Sequence, residues 1–418
     1  MIPLALDDVA VLCPGRLERV RVAKVATGVQ IDSRRVSKGD LFVAVGGGEA
    51  FAEDAIAHGA AATLVPEDAF AALAALGRAV RDRSPAKIVA ITGSTGKTST
   101  KDILAAMCAP RRRTVAAEAS YNNELGVPLT LCRLEPDTEV CILELAMRGL
   151  GEIAALAAVA RPHVAVVTNV GPAHLELVGS IEAVAQAKGE LIDALPPGGA
   201  AIVPESFRAE RDDIEVVRVG DPDAVTEDGT MRLHFGGGDV VFSFRARHQA
   251  RNALTALHAA RVLGLEVEGT VDVVFSRWRG DELPLRGGGV LVNDCYNANP
   301  ISMRAALEDL VERSEGRSRA VAVLGEMAEL GAESGAYHRE IGELAGELGV
   351  GVLLAVGDLG REYLAAATTV PVTAWTPTAG DAVRAAEQLV EPGDCVLVKG
   401  SRVVGLEIVA AALADIRV

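Results

Sequence analysis

The chain has 418 residues, enough for two or three domains, and is 50% hydrophobic but only 3% aromatic, so its core must be built from Ala, Val, Leu and Ile, as in α/β layers. No apolar run reaches the roughly 18 residues of a membrane-spanning helix, and six scattered cysteines with no Cys-x-x-Cys pair point to a reduced, cytoplasmic compartment without a zinc site. The formal net charge of −16 disfavours nucleic acid as a partner, yet leaves room for a small anion at a local basic site.

Residues 1–84 read as a first, small α/β unit. Met1 to Asp8 carries no basic stretch of the kind that opens a signal peptide. Residues 31–36 and 39–45 read as short strands joined by a turn, 53–58 as helix, 62–65 as strand and the Ala-rich 68–81 as a closing helix. Ser84-Pro85 marks a boundary, because proline restricts the residue before it and breaks periodicity.

The second unit spans 85–286. Its apolar runs at 87–91, 140–145, 163–168 and 200–203 are near-continuous, as expected of strands buried on both faces of a parallel sheet. Helical stretches alternate with them. Polar β-like segments follow at 215–219, 231–235 and 240–244, then a helix over 248–263. The first run leads through Thr92-Gly93-Ser94-Thr95-Gly96-Lys97-Thr98-Ser99 into an apolar-periodic segment, 102–107. Strand, glycine loop, Lys-Thr and helix make a P-loop, in which backbone N–H groups converge on phosphate oxygens. Lys97 would reach the β- and γ-phosphates, and the Thr98 hydroxyl would sit on Mg2+. The strict pattern asks for glycine where this chain has Ile91, so the loop is a short variant. A chance Gly-Lys-Thr in a βα turn is the plainer alternative; the flanking strand and helix weigh against it.

Gly287-Gly288-Gly289 reads as the next break, opening a third unit over 287–418. Strands at 290–293, 320–324, 352–356, 370–374 and 395–398 alternate with helices at 302–313, 336–348, 359–366, 379–389 and 403–414. The fold class is therefore α/β in three domains: a small N-terminal domain, a central P-loop domain with a doubly wound, mostly parallel sheet, and a C-terminal Rossmann-like domain. The last lacks a Gly-x-Gly-x-x-Gly fingerprint.

In open α/β sheets ligands bind beyond the carboxyl ends of the strands. Those ends here carry the P-loop, Glu144, Asn169 leading to His174, Asp294, Glu326 and Lys399. A carboxylate after a strand is more often a helix cap than a metal ligand. A P-loop, a carboxylate and a histidine at neighbouring ends nevertheless point to a Mg-nucleotide site. Lys188 falls within an apolar helical stripe with Ile181, Val184, Ala185, Leu191 and Ile192. It either snorkels at the stripe's edge or has a depressed pKa that leaves a neutral amine able to take up CO2 as a carbamate.

These residues resemble a known family. The loop Thr92 to Thr98, Asn122-Asn123-Glu124-Leu125-Gly126-Val127-Pro128, Glu144-Leu145-Ala146-Met147-Arg148-Gly149, Asn169-Val170-Gly171-Pro172-Ala173-His174-Leu175 and Ala187-Lys188-Gly189-Glu190 are similar to the Mur ligases. Asp294-Cys295-Tyr296-Asn297-Ala298-Asn299-Pro300, Leu324-Gly325-Glu326-Met327-Ala328-Glu329-Leu330-Gly331 and Val398-Lys399-Gly400-Ser401-Arg402 resemble its D-alanyl-D-alanine-adding branch. The resemblance implies ATP-driven amide formation through an acyl phosphate, joining D-Ala-D-Ala to UDP-N-acetylmuramoyl-tripeptide in cytoplasmic peptidoglycan precursor synthesis by a monomer. It implies an N-terminal domain for the UDP-sugar peptide, a central one for ATP, and a C-terminal one that closes over both and takes the incoming dipeptide.

It further implies catalytic roles for Lys97, Glu144, His174 and Lys188, and two Mg2+ ions held by Thr98, Glu144, His174 and carbamylated Lys188. ATP would be bound by Gly93, Ser94, Thr95, Gly96, Lys97, Thr98 and Ser99, with Asn252 on adenine, Asp294 on ribose and Arg279 on phosphate. Ser33, Arg34, Asn122, Asn123, Tyr296, Asn297, Asn299, Lys399 and Ser401 would meet the other substrates. Three positions depart from the branch: Gln249 stands for a usual Asn, Ala146 for a usual Gly, and the loop 46–53 is short and lacks an Asp-Gly-His run. That loop leaves open a related Mur-type ligase with another acceptor or amine, which the Tyr296 to Pro300 run argues against. A non-catalytic binding paralogue is opposed by the intact Lys97, Thr98, Glu144, His174 and Lys188.

Overall fold

The computed structural model describes residues 1–20, 23–119, 121–314 and 319–414. The first unit holds a 4-stranded sheet in the order Gly15–Arg19, Ala62–Pro66, Asp40–Val43, Gly28–Gln30. Residues 31–36, expected as a strand, instead make a bend and a 3-10 turn over Ser33–Arg35. The Asp32 carboxylate accepts from the Arg34 backbone N–H and holds the chain out of the extended conformation.

Helix Ala69–Asp82 is capped by Asp68, whose carboxylate accepts from the Phe70 and Ala71 N–H groups. It buries Ala72, Leu73, Leu76 and Val80 against the central domain's helices Gly126–Leu131 and Glu152–Ala160. Gly77 permits this approach: a Cβ there would come within 2.9 Å of the Pro128 Cα. One core consequently runs from Leu4 in the first unit to Val203 in the second.

The central sheet is 6-stranded and parallel throughout, in the order Glu215–Val219, Ala200–Pro204, Val164–Val167, Lys87–Thr92, Val140–Glu144, Thr114–Ala116. The P-loop strand lies between the strands ending at Val167 and Glu144, so three ligand-bearing ends are neighbours. Helices Lys97–Cys108 and Gln249–Val262 cover the other face, together with a small sheet whose strands include Ala224–Glu227 and Gly269–Val271.

In the third unit the sheet order is Asp281–Pro284, Val290–Asp294, Cys395–Lys399, Ala320–Gly325, Val352–Val356, Val372–Thr376. All neighbours are parallel except the first pair. That pair corrects the boundary read at 286/287. Residues 287–289 form the turn of an antiparallel hairpin inside the C-terminal domain, each with φ between +88° and +104°. The crossing between domains lies upstream, after Val271 and before Asp281.

The six cysteines are buried and unpaired, and burial lifts each thiol pKa to about 11 or 12. His163 is also held neutral, since its Nδ1 accepts from the Ile88 N–H at 3.0 Å. Burial, with Arg81 and Lys87 adding, pulls this imidazole from 6.5 down to about 4. The sign follows from linkage: the unfolded chain binds the proton first, so this contribution is intact above about pH 6.5 and is lost as pH falls through about 4. His163→Asn keeps an acceptor without a titrating group. Its unfolding free energy, from urea melts, should fall less steeply between pH 6.5 and 4 than that of the parent chain.

Candidate active site

The glycine turn that leaves strand Lys87–Thr92 is set by backbone shape and by the neighbouring strand end. Gly96 caps helix Lys97–Cys108 at φ +76°, and a Cβ there would sit 2.3 Å from Asn252 Oδ1. Asn169 Oδ1 accepts from the Thr95 N–H at 2.8 Å, and Ser94 Oγ donates to the Gly171 carbonyl at 3.0 Å. Lys97 Nζ donates to the Gly93 carbonyl at 2.7 Å, arching back over the loop. Burial pulls this ammonium below its ordinary pKa; the Glu144 carboxylate opposes that and the Arg279 guanidinium adds to it.

Glu144 is 1% exposed and ends its strand beside the loop. Its Oε2 accepts from the Thr98 hydroxyl at 2.7 Å and its Oε1 from Asn122 Nδ2 at 2.8 Å. His174 takes a left-handed φ of +58°, and its Nδ1 meets the carboxylate of Glu329 from the C-terminal domain. Burial lowers the His174 pKa, with Lys97 adding and Glu329 opposing. In the sequence Glu329 belongs to the motif Leu324 to Gly331 and carries no role of its own. Its partner is 155 residues away in the chain, a separation that no local pattern reveals.

Helix Ile181–Asp193 buries Val184, Ala187, Lys188, Leu191 and Ile192, whereas Ile181, expected in the same stripe, is exposed in the first turn. Lys188 is 1% exposed, and among the described residues no hydrogen bond or ion pair reaches it. Glu190 is occupied with the Gly151 and Ala154 N–H groups at the start of helix Glu152–Ala160. Burial drives the Lys188 pKa well below its ordinary value, and Lys97 adds to the effect. Lys188 does not line the cavity described next, but it lies within electrostatic reach of Lys97 and His174.

The C-terminal domain presents a second set of groups. Asp294 and Lys399 are register partners at adjacent strand ends, and Lys399 Nζ donates to Asp294 Oδ2 at 2.6 Å and to the Asn297 carbonyl at 3.1 Å. Asn299 Nδ2 crosses to the Ser94 carbonyl of the P-loop at 3.4 Å. Ser401 Oγ accepts from the Ala328 N–H at 2.9 Å. The Arg279 guanidinium stacks 3.9 Å from the centre of the Tyr296 ring. Asn252 Nδ2 donates to Gln249 Oε1 at 2.7 Å, and Gln249 Nε2 in turn faces His248 Nε2, so the unusual Gln249 orients the expected adenine contact.

A cavity of about 1110 Å³ joins the two sets. Ser94 through Ser99, Asn122, Asn123, Glu144, His174 and Asn252 line it from the central domain, and Arg279, Asp294, Tyr296, Asn297, Asn299, Lys399 and Ser401 from the other side. Gly93 contributes its carbonyl to Lys97. Ser33 and Arg34 are not part of the cavity: Ser33 is buried, and the exposed Arg34 pairs with Asp32, holding that carboxyl down at about 2. Their neighbour Arg35 bridges to the central domain through the Tyr121 hydroxyl and Glu118. Among the described residues no group of three or more His, Cys, Asp and Glu side chains is arranged to hold a metal. The expected set instead combines a hydroxyl, a carboxylate, an imidazole and a buried amine.

Comparison with known proteins supplies the family. Residues 91–260 match the Mur ligase middle domain and residues 282–402 the Mur ligase, glutamate ligase domain. A UDP-N-acetylmuramoyl-tripeptide–D-alanyl-D-alanine ligase from Mycobacterium bovis is 36% identical over 99% of this chain and 98% of its own. A crystal structure of MurF from Acinetobacter baumannii superposes with a TM-score of 0.83 at 27% identity, covering 98% of both chains. MurF from Thermotoga maritima in complex with ADP gives 0.77 at 27% identity, over 92% of this chain and 96% of that one. On domains, length and fold together, the chain belongs to the Mur ligase family, in its UDP-N-acetylmuramoyl-tripeptide–D-alanyl-D-alanine ligase branch.

Proposed function

We propose that this chain joins D-alanyl-D-alanine to UDP-N-acetylmuramoyl-tripeptide with cleavage of ATP to ADP and phosphate, as a monomer in the cytoplasm. The observation that carries the reading is the single cavity in which the P-loop, Glu144 and His174 of one domain face Asp294, Tyr296 and Lys399 of the other. The donors there suit a nucleotide triphosphate and hard cations. The Thr98 hydroxyl and Glu144 carboxylate are oxygen ligands already side by side. With Nδ1 committed to Glu329, His174 keeps Nε2 free for a metal, a common orientation device. A carbamate on Lys188 would add a further oxygen ligand, and its motive is a buried amine with no counter-ion. Mg2+ held by these residues would neutralise phosphate charge and align the oxygens.

In the reaction so assigned, an oxygen of the tripeptide carboxylate attacks the γ-phosphorus and the bond to the bridging β–γ oxygen breaks, releasing ADP. The neutral amine of D-Ala-D-Ala attacks the acyl phosphate, the carbon–oxygen bond to phosphate breaks, and the nitrogen sheds a proton. Lys97 stabilises charge on the transferring phosphoryl group, Asn252 and Asp294 hold the nucleoside, and Arg279 contacts phosphate. Tyr296, Asn297, Asn299, Lys399 and Ser401 meet the incoming dipeptide or the growing tail; Asn122 and Asn123 flank the reacting carboxylate. Ser33 and Arg34 receive the UDP-sugar from the N-terminal domain, outside the cavity itself.

No helix among the described residues is long and apolar enough to cross a membrane, which accords with soluble substrates. Phosphate release measured with each substrate omitted in turn tests the assignment. Release should require ATP, UDP-N-acetylmuramoyl-tripeptide and D-Ala-D-Ala together. Full release with an amino acid in place of the dipeptide would point to the sister activity that the short loop at 46–53 allows.

A further inference from the structure

We propose that Asp102, on the P-loop helix, is a positioning residue that fixes the central-domain end of the interdomain hinge and through it holds Arg279 over the nucleotide site. The inference rests on the ligase reading above and adds a residue to it.

Two clamps, two residues apart, define the hinge. On the central side Asp102 Oδ2 accepts from the Ser276 N–H at 2.8 Å, and its Oδ1 accepts from the Ser276 hydroxyl at 3.2 Å. Upstream, the Val273 N–H is tied to Ser243 Oγ at 2.8 Å. On the C-terminal side the Trp278 N–H donates to Asp281 Oδ2 at 2.6 Å, the Trp278 carbonyl accepts from the Tyr296 N–H at 3.3 Å, and the Arg402 guanidinium lies 4.3 Å from the centre of its ring. Arg277 alone lies between the clamps. Trp278 has a φ of +63°, a left-handed conformation that a bulky aromatic residue adopts only where the surroundings enforce it. Rotation between the domains is thereby confined to the bonds around Arg277 and Trp278.

The lever arms follow. Arg279 is three residues from Ser276, so it stays within roughly 10 Å of the anchored point however the domain turns. Glu329, far along the chain from the anchored point, reaches the central domain through its carboxylate on His174 and its backbone carbonyl, which accepts from the Glu176 N–H at 3.2 Å. Asp102 itself is a built anchor. Its side chain is 9% exposed, and its charge is balanced by Lys101, whose Nζ lies 2.6 Å from Oδ1 and donates to the Ala117 carbonyl at 2.9 Å. Because Asp102 sits one and a half turns along the helix that begins at Lys97, the P-loop and the hinge share one rigid element.

A double-mutant cycle on the full chain tests this. Asp102→Ala should lower kcat about 10- to 100-fold with KM for ATP changed less than about threefold, because the loop's own groups are untouched. On an Arg279→Ala background the same substitution should change kcat less than about twofold, since its effect runs through Arg279. Amide exchange at Ser276 should accelerate. As Asp102→Ala strands a buried lysine, the cycle is repeated with Lys101→Met/Asp102→Ala, which removes both charges. Independent, multiplicative losses in kcat, or unchanged exchange at Ser276, would overturn the proposal. A parent chain that releases no phosphate with the full substrate set would instead remove the ligase reading, so the two failures are distinct.

Discussion

Lys97→Ala is expected to abolish turnover while leaving the fold intact. The transferring phosphoryl group needs charge stabilisation more than covalent help, and loss of one well-placed donor in such a site costs on the order of 10³-fold in rate, about 4 kcal/mol. In the ligand-free fold the same ammonium makes one hydrogen bond, to the Gly93 carbonyl. Losing that charge-assisted bond removes about 2 kcal/mol, which deleting a buried charge offsets. Stability and activity should therefore separate: an unchanged thermal midpoint by circular dichroism, with single-turnover phosphate release at background. Parent-level activity in this variant would remove the P-loop assignment altogether.

Lys188→Ala is expected to lose about 10²- to 10³-fold in activity, comparable with removal of a ligand-orienting group. Lys188 is buried, and among the described residues no counter-ion meets it. A protonated ammonium at this position has no acceptor, because Glu144 is engaged by Thr98 and Asn122, and Glu190 by a helix N-terminus. Burial, with Lys97 adding, pulls the Lys188 pKa down, which favours the neutral amine. In the proposed reading its nitrogen lone pair would add to CO2, a proton would depart, and a carboxylate would stand within electrostatic reach of Lys97. Bicarbonate or short carboxylic acids should restore part of the variant's activity by occupying that carboxylate's place. With 13C-labelled bicarbonate, the parent chain should show a carbamate resonance that the variant lacks. A bare, ion-paired ammonium in a nucleotide- and metal-loaded crystal would show the reading to be wrong.

Much of the architecture was legible because its signals are local. Apolar runs at 87–91, 140–145 and 352–356 fall on central parallel strands, where burial on both faces leaves polar residues only near the ends, Lys87 at the start of one and Glu144 at the close of another. The P-loop announces itself because strand, turn and helix are contiguous. Residues 31–36 begin and end on the β-branched Ile31 and Val36, as a short strand could, while a side-chain acceptor at Asp32 sets the backbone. The three glycines at 287–289 looked like a linker, since a tight hairpin and a hinge use the same residue for the same reason, positive φ. The true crossing carries no such mark: its clamps, Asp102 to Ser276 and Asp281 to Trp278, are visible only once the chain is folded. Likewise Lys399 is readable as a strand-end polar residue and Glu329 only as part of a motif, and their pairing with Asp294 and His174 depends on contacts more than a hundred positions apart.

The buried thiols have an experimental use. Cys13 lies in the N-terminal domain, Cys108, Cys132 and Cys141 in the central one, and Cys295 and Cys395 in the C-terminal one. Sealed from solvent and un-ionised at neutral pH, none meets the requirements of an alkylating reagent while its surroundings stay closed. Modification then proceeds only through transient opening, at a rate proportional to the population of the opened form. Each domain thus carries its own native clock, and peptide mapping of one labelling reaction would time the breathing of all of them without an engineered probe.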